Sequence, residues 1–127
     1  QGRELALQLL FQVEMTRDPV REVAEAVRVT SPETLVLVDA VSSLGGAKLE
    51  MDAWGLDMVL TSSQKALALP PGLAFVSVGE RAWRRIESTS GPRFYFDLLQ
   101  QRKAQAAGDT AFTPAISLVV AAAVEDR

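Results

Sequence analysis

Thr34-Leu35-Val36-Leu37-Val38 is an uninterrupted run of β-branched and leucine residues that ends on Asp39. Asp57-Met58-Val59-Leu60 is a second run, ending in Thr61-Ser62-Ser63-Gln64-Lys65. Short apolar runs without polar alternation mark strands covered on both faces, and such strands belong to parallel sheets. The two runs therefore predict an α/β fold with a mostly parallel sheet flanked by helices. Each strand delivers a polar group at its carboxyl end, where ligands gather in open parallel sheets.

Working outward, Asp18-Pro19 reads as a helix start, and Val20, Val23, Ala24 and Val27 at helical spacing predict a helix over 19–29, broken by Thr30-Ser31-Pro32-Glu33. Upstream, residues 4–15 (ELALQLLFQVEM) fit either a buried helix or a helix tail feeding a strand at Leu9–Val13. Downstream, Pro70-Pro71-Gly72 is a turn before a third strand at Leu73–Val78, followed by a helix at Glu80–Ile86. Gly91-Pro92 interrupts the chain ahead of a helix over Tyr95–Ala106. Residues 108–114 form a polar loop, and Ala115–Val124 reads as an apolar helix. The pair Tyr95-Phe96 either anchors the following helix in the core or faces a subunit interface.

Of the 127 residues 48% are hydrophobic, enough to build a core, and 13 Lys+Arg against 16 Asp+Glu give a net charge of −3. This mild acidity disfavours nucleic acid and anionic membranes as partners, and no apolar run approaches the ~20 residues of a membrane helix. The chain has neither Cys nor His. Thiol nucleophiles, Ser-His-Asp triads and Cys/His zinc sites are thereby excluded, and no metal site is expected. Absence of Cys fits a cytoplasmic setting. The start without Met and the end directly after an apolar helical pattern lead us to expect part of a longer protein.

The remaining chemistry rests on Lys, acids and hydroxyls, or on a cofactor. Lys65, behind three hydroxyl residues and an amide, reads either as a solvated loop lysine or as a partly desolvated amine nucleophile. Asp39 reads either as a turn or capping residue or as a ligand carboxylate. Taken together, a carboxylate and a lysine at neighbouring strand ends are the two protein groups that pyridoxal phosphate requires: a partner for the pyridinium nitrogen and an amine for a Schiff base.

The stretch Val38-Asp39-Ala40-Val41-Ser42-Ser43-Leu44-Gly45-Gly46, then Met51-Asp52 with Gly55-Leu56-Asp57, then Ser63-Gln64-Lys65-Ala66-Leu67 with Pro70-Pro71-Gly72, resembles the class V aminotransferases of fold-type I. More closely it is similar to their alanine–glyoxylate and serine–glyoxylate branch. Tyr95-Phe96-Asp97 and Thr110-Ala111-Phe112-Thr113-Pro114 extend the resemblance to about 19–124. It implies that residues 1–127 are part of the pyridoxal 5'-phosphate (PLP) transferase type I large domain, with no second domain. It also implies that Lys65 is the covalent anchor and general acid/base, that Asp39 pairs with the pyridine nitrogen, that Val41 packs on the ring face and that Gln64 lies near the phosphate.

Thr113, with Thr110, matches a loop that reaches the phosphate of the opposite subunit, so the resemblance implies a homodimer with a shared site. The implied substrates are a small amino acid and a 2-oxo acid. The residue before the lysine is Gln and there is no Cys, which sets the chain apart from the related cysteine desulfurases. The family's glycine-rich phosphate loop, ring-stacking aromatic and carboxylate-gripping arginine have no counterpart here, and the turn near Glu14–Asp18 departs from the family pattern. A truncated, inactive segment with a structural or assembly role, or another reaction such as a lyase on the same cofactor, stays open.

Overall fold

The computed structural model describes residues 20–125. The 4–15 segment and the Asp18-Pro19 helix start lie outside them. Helix α1 (Val20–Thr30) turns Ala24 and Val27 inward. It ends where Ser31 Oγ and Thr34 Oγ1, 2.7 Å apart, close a turn. Strands β1 (Leu37–Asp39), β2 (Met58–Ser62) and β3 (Ala74–Val78) form a sheet in the order β1-β2-β3. The β1–β2 pair is parallel, with Asp39 opposite Leu60, and the β2–β3 pair is antiparallel, with Ser62 opposite Ala74. The parallel arrangement thus holds for the two strands that carry Asp39 and lead to Lys65. Helices α2 (Glu80–Ser88), α3 (Leu98–Ala106) and α4 (Ile116–Glu125) follow.

Side-chain alternation gives the sheet two unlike faces. Val59 and Thr61 are buried, whereas Met58, Leu60 and Ser62 between them are half-buried. The inward face joins Ala24 of α1, Ala40 and Leu56 in one core, with Val20, Val36, Val38, Leu44, Leu49, Met51 and Trp54 around it. The outward face is open: Leu37 is 45% exposed and Val76 equally so. The expectation that the 34–38 run is a strand covered on both faces is therefore corrected. Its first residues spend their backbone groups elsewhere: Val36 N–H goes to the Asp57 carboxylate (2.8 Å), and Thr34 O accepts from Arg28 and Arg81 at 3.5 Å.

Asp57 is the main polar fixture of the fold. It is 3% exposed, and its carboxylate meets Arg28 of α1 at 3.2 Å and Arg81 of α2 at 3.6 Å as well as the Val36 amide. Arg28 also donates to Gly55 O (2.6 Å) and Arg81 to Pro32 O (2.6 Å), so both guanidiniums are tied to backbone on the far side. One carboxylate thus pins a helix on each side to the start of β1, and a buried charge so paired and hydrogen-bonded is tolerable.

Helix α3 begins three residues later than the pattern predicts, because Asp97 accepts from Leu99 N–H (2.9 Å) and caps it. Tyr95 and Phe96 consequently precede the helix and are exposed, Phe96 at 88%, which overturns the core-anchor alternative. With Phe94 they form an edge-to-face and tilted cluster that includes Phe112, whose ring centre lies 4.7 Å from that of Tyr95. Helices α2 and α3 hold together through Arg102, stacked 4.1 Å over Trp83 and paired with Glu87.

Candidate active site

Parallel pairing sets the carboxyl ends of β1 and β2 side by side, and two short loops leave from them. After β1, Ala40 N–H donates to Leu60 O (2.8 Å), and the buried Thr61 hydroxyl donates back to Ala40 O (3.2 Å). This reciprocal tie fixes the first residue beyond Asp39. Asp39 is exposed, and its Oδ1 accepts from Val41 N–H (3.0 Å), which orients the carboxylate against its own turn and leaves Oδ2 open. Val41 is half-buried.

After β2, Ser63 is fully buried and closes the loop that carries Gln64 and Lys65. Its hydroxyl donates to Pro70 O (2.6 Å) and accepts from Leu73 N–H (3.2 Å), while its backbone N–H donates to Leu73 O and its carbonyl accepts from Leu69 N–H. Lys65 O receives Ala68 N–H (2.9 Å), and Ala68 sits at φ +55°, a left-handed position unusual for a residue with a Cβ. Gln64 and Lys65 are exposed at the tip. The loop is thus a rigid mount with a solvent-facing amine, and the desolvated setting considered for Lys65 is absent among the described residues.

The two loops touch. A Cβ built on Gly45 would stand 3.1 Å from Leu67 Cδ2, and one on Gly46 would stand 3.3 Å from Ala66 Cβ. The glycine pair therefore lets the Asp39 loop close onto the residues directly after Lys65. Thr110 and Thr113 are exposed on the α3–α4 loop, where Thr110 N–H donates to Asp109 Oδ1 (2.7 Å). Among the described residues no hydrogen bond ties them to the Asp39 and Lys65 loops.

Two residues escape the sequence reading. Asp57 reads only as the first residue of the second apolar run, with no role of its own, until Arg28 and Arg81, distant in sequence, close on it. Ser62 hides in a run of hydroxyl residues; its Oγ is sealed from solvent and has no hydrogen-bond partner among the described residues. Strand alternation was the available signal, since it separates Ser62 from both Thr61 and Ser63.

A carboxylate and a primary amine at adjacent parallel strand ends, with an open rather than packed sheet face beside them, fit the ends and ring of PLP in donor chemistry. Solved structures place the fold in the PLP-transferase type I class. An aspartate aminotransferase of subgroup IV from Thermus thermophilus matches at 42% identity with a TM-score of 0.73, covering 82% of this chain and 29% of that one. An alanine–glyoxylate aminotransferase from Nostoc sp. matches at 32% identity and a TM-score of 0.74, covering 82% of this chain and 28% of that one.

The family model for class-V aminotransferases matches residues 6–123, and the chain belongs to that family. A curated relative, the soluble hydrogenase 42 kDa subunit of Anabaena cylindrica, is 47% identical over 89 residues, 70% of this chain and 23% of the relative. The chain spans about a quarter of the length of the curated relatives it matches. No helix among the described residues is long and apolar enough to cross a membrane.

Proposed function

We propose that the chain supplies the lysine and aspartate side of a PLP site in a cytoplasmic transaminase, which moves an amino group from a small amino acid, alanine or serine, to glyoxylate or pyruvate. The observation that carries this reading is the placement of Asp39 and Lys65 at the carboxyl ends of two neighbouring parallel strands, on loops that touch. Bound there, PLP would supply an aldehyde carbon for an amine and an electron-withdrawing ring.

The chain's own residues do the rest. Asp39, with one oxygen already held by Val41 N–H, offers its second oxygen to the ring nitrogen and keeps that nitrogen protonated. Val41 backs the ring. Lys65 Nζ would anchor the cofactor and would hold and move the proton at the substrate α-carbon as general acid/base. Gln64, beside it, faces the phosphate. Thr113, with Thr110, serves the phosphate of a second subunit in a homodimer, and the exposed Phe94–Phe96 cluster beside that loop supports a subunit contact. The glyoxylate acceptor draws support from the alanine–glyoxylate relative. Residues 1–127 are read as part of one large domain.

The test is to mix the chain with stoichiometric PLP, reduce with borohydride and map modified lysines by peptide mass spectrometry. Lys48, Lys65 and Lys103 are the chain's only lysines, so the site is assigned directly. Labelling confined to Lys65, and lost in Lys65→Ala, is the expected result. Equal labelling of all the lysines, or none, overturns the reading and leaves an aminotransferase segment with a structural or assembly role.

A further inference from the structure

The Asp39 and Lys65 loops are joined at two heights. At the base, Ala40 N–H donates to Leu60 O (2.8 Å) and the Thr61 hydroxyl donates to Ala40 O (3.2 Å), which locks the two strand ends together. Above the base, Gly45 and Gly46 lie against Leu67 and Ala66, and a Cβ on Gly46 would stand 3.3 Å from Ala66 Cβ, closer than such atoms ordinarily approach. Turns brace both loops at that contact. Ala40 O accepts from Ser43 N–H (3.1 Å) and Leu44 N–H (2.9 Å), and Ser43 O accepts from Gly46 N–H (3.0 Å) and Ala47 N–H (2.8 Å), so successive turns link the residue after Asp39 to Gly46. On the other side Ser63 holds Leu69, Pro70 and Leu73, and Ala68 N–H closes on Lys65 O (2.9 Å).

The two glycines differ in what they require. Gly45 sits at φ +92°, where any side chain is strained. Gly46 lies outside that left-handed region, so its backbone does not demand glycine, and what a side chain would meet there is Ala66. Resting on the reading of Asp39 and Lys65 given above, we infer that Gly46 is a positioning residue, whose missing side chain sets how closely Lys65 approaches Asp39. Ala66 follows Lys65 directly. A group that pushes Ala66 away by a few tenths of an ångström therefore shifts the amine relative to the carboxylate, while the hydrogen bonds at the base stay in place. The role needs no contact of Gly46 or Ala66 with cofactor or substrate.

The experiment uses the full chain and three variants: Gly46→Ala, Ala66→Gly and the two combined. The rate of borohydride-trapped labelling of Lys65 is measured at a fixed PLP concentration, beside reductive methylation of Lys65 by formaldehyde, which needs no help from Asp39, and urea unfolding without PLP. A misplacement of about 1 Å costs about a hundredfold in a positioned reaction, so about 0.3 Å predicts labelling by PLP about fourfold slower in Gly46→Ala. Ala66→Gly removes the atom that the new methyl meets, and the combined variant returns to within about twofold of the parent. Methylation by formaldehyde proceeds alike in all of them, since Lys65 stays exposed. Without PLP, Gly46→Ala unfolds at the parent's urea midpoint or above it, because replacing a glycine outside the left-handed region restricts the unfolded chain.

Labelling by PLP at the parent's rate in Gly46→Ala overturns the inference, as does a slower rate that Ala66→Gly fails to restore. A slower rate shared by formaldehyde, or accompanied by a lower urea midpoint, also overturns it and leaves the contact a matter of stability alone. Absence of trapping at Lys65 in the unsubstituted chain instead overturns the Asp39–Lys65 reading, and this inference with it.

Discussion

Replacing Asp57 by Ala removes the acceptor on which α1, α2 and the start of β1 converge. The loss has two parts. Val36 N–H loses the side-chain acceptor it has among the described residues, which costs about 1–3 kcal/mol for a part-buried donor left unsatisfied. Arg28 and Arg81 lose a carboxylate at 3.2 and 3.6 Å, but their side chains are 31% and 29% exposed and keep the Gly55 and Pro32 carbonyls. Their stranding therefore falls well below the ~3–5 kcal/mol of breaking a fully buried pair.

Together these give a destabilisation of about 3 kcal/mol, and Asp57→Asn, which still offers Val36 an acceptor, costs about half of that. In a urea titration followed by far-UV circular dichroism, a slope of about 1.5 kcal/mol/M turns 3 kcal/mol into a midpoint lowered by about 2 M. Adding Arg28→Met to Asp57→Ala then costs less than Arg28→Met alone, by about 1 kcal/mol, since the partner is already gone. A midpoint for Asp57→Ala within about 0.3 M of the parent, at an unchanged slope, refutes the reasoning.

Ser63→Ala strands the Pro70 carbonyl and the Leu73 amide inside the base of the lysine loop. The expected cost is about 2–3 kcal/mol with faster proteolysis between residues 64 and 72, and unchanged cleavage there contradicts the clamp. Ala68→Gly relieves a left-handed backbone position at φ +55° and is expected to stabilise by about 0.5–1 kcal/mol, raising the unfolding temperature by a few degrees; a fall in that temperature contradicts the strain argument.

The positions of Asp39 and Lys65 are legible in the sequence because two apolar runs stop abruptly at polar residues, and strand ends need only local pattern to be seen. The pattern misjudged how much of those runs is strand and how well it is covered. Val36 reads as strand by propensity, yet a side chain 21 residues away in sequence takes its amide. The Tyr95 helix start failed for a local reason that was available, the capping chemistry of Asp97. Asp57 was beyond reach, since nothing near it in the chain reveals that Arg28 and Arg81 close on it from different helices. The adjacency of Ala66 and Leu67 to the glycine pair likewise emerges only from tertiary packing.

Strand β2 behaves like a message read in steps of two. One frame spells Val59 and Thr61, the words of the core, and the other spells Met58, Leu60 and Ser62, the words of the outward face. Inserting or deleting a single residue between Asp57 and Ser63 would shift the frame, sending the free hydroxyl inward and the bonded one outward. The length of this short strand is therefore more tightly constrained than the identity of most residues in it, and a relative that tolerates substitutions at Met58 or Leu60 should still keep the count.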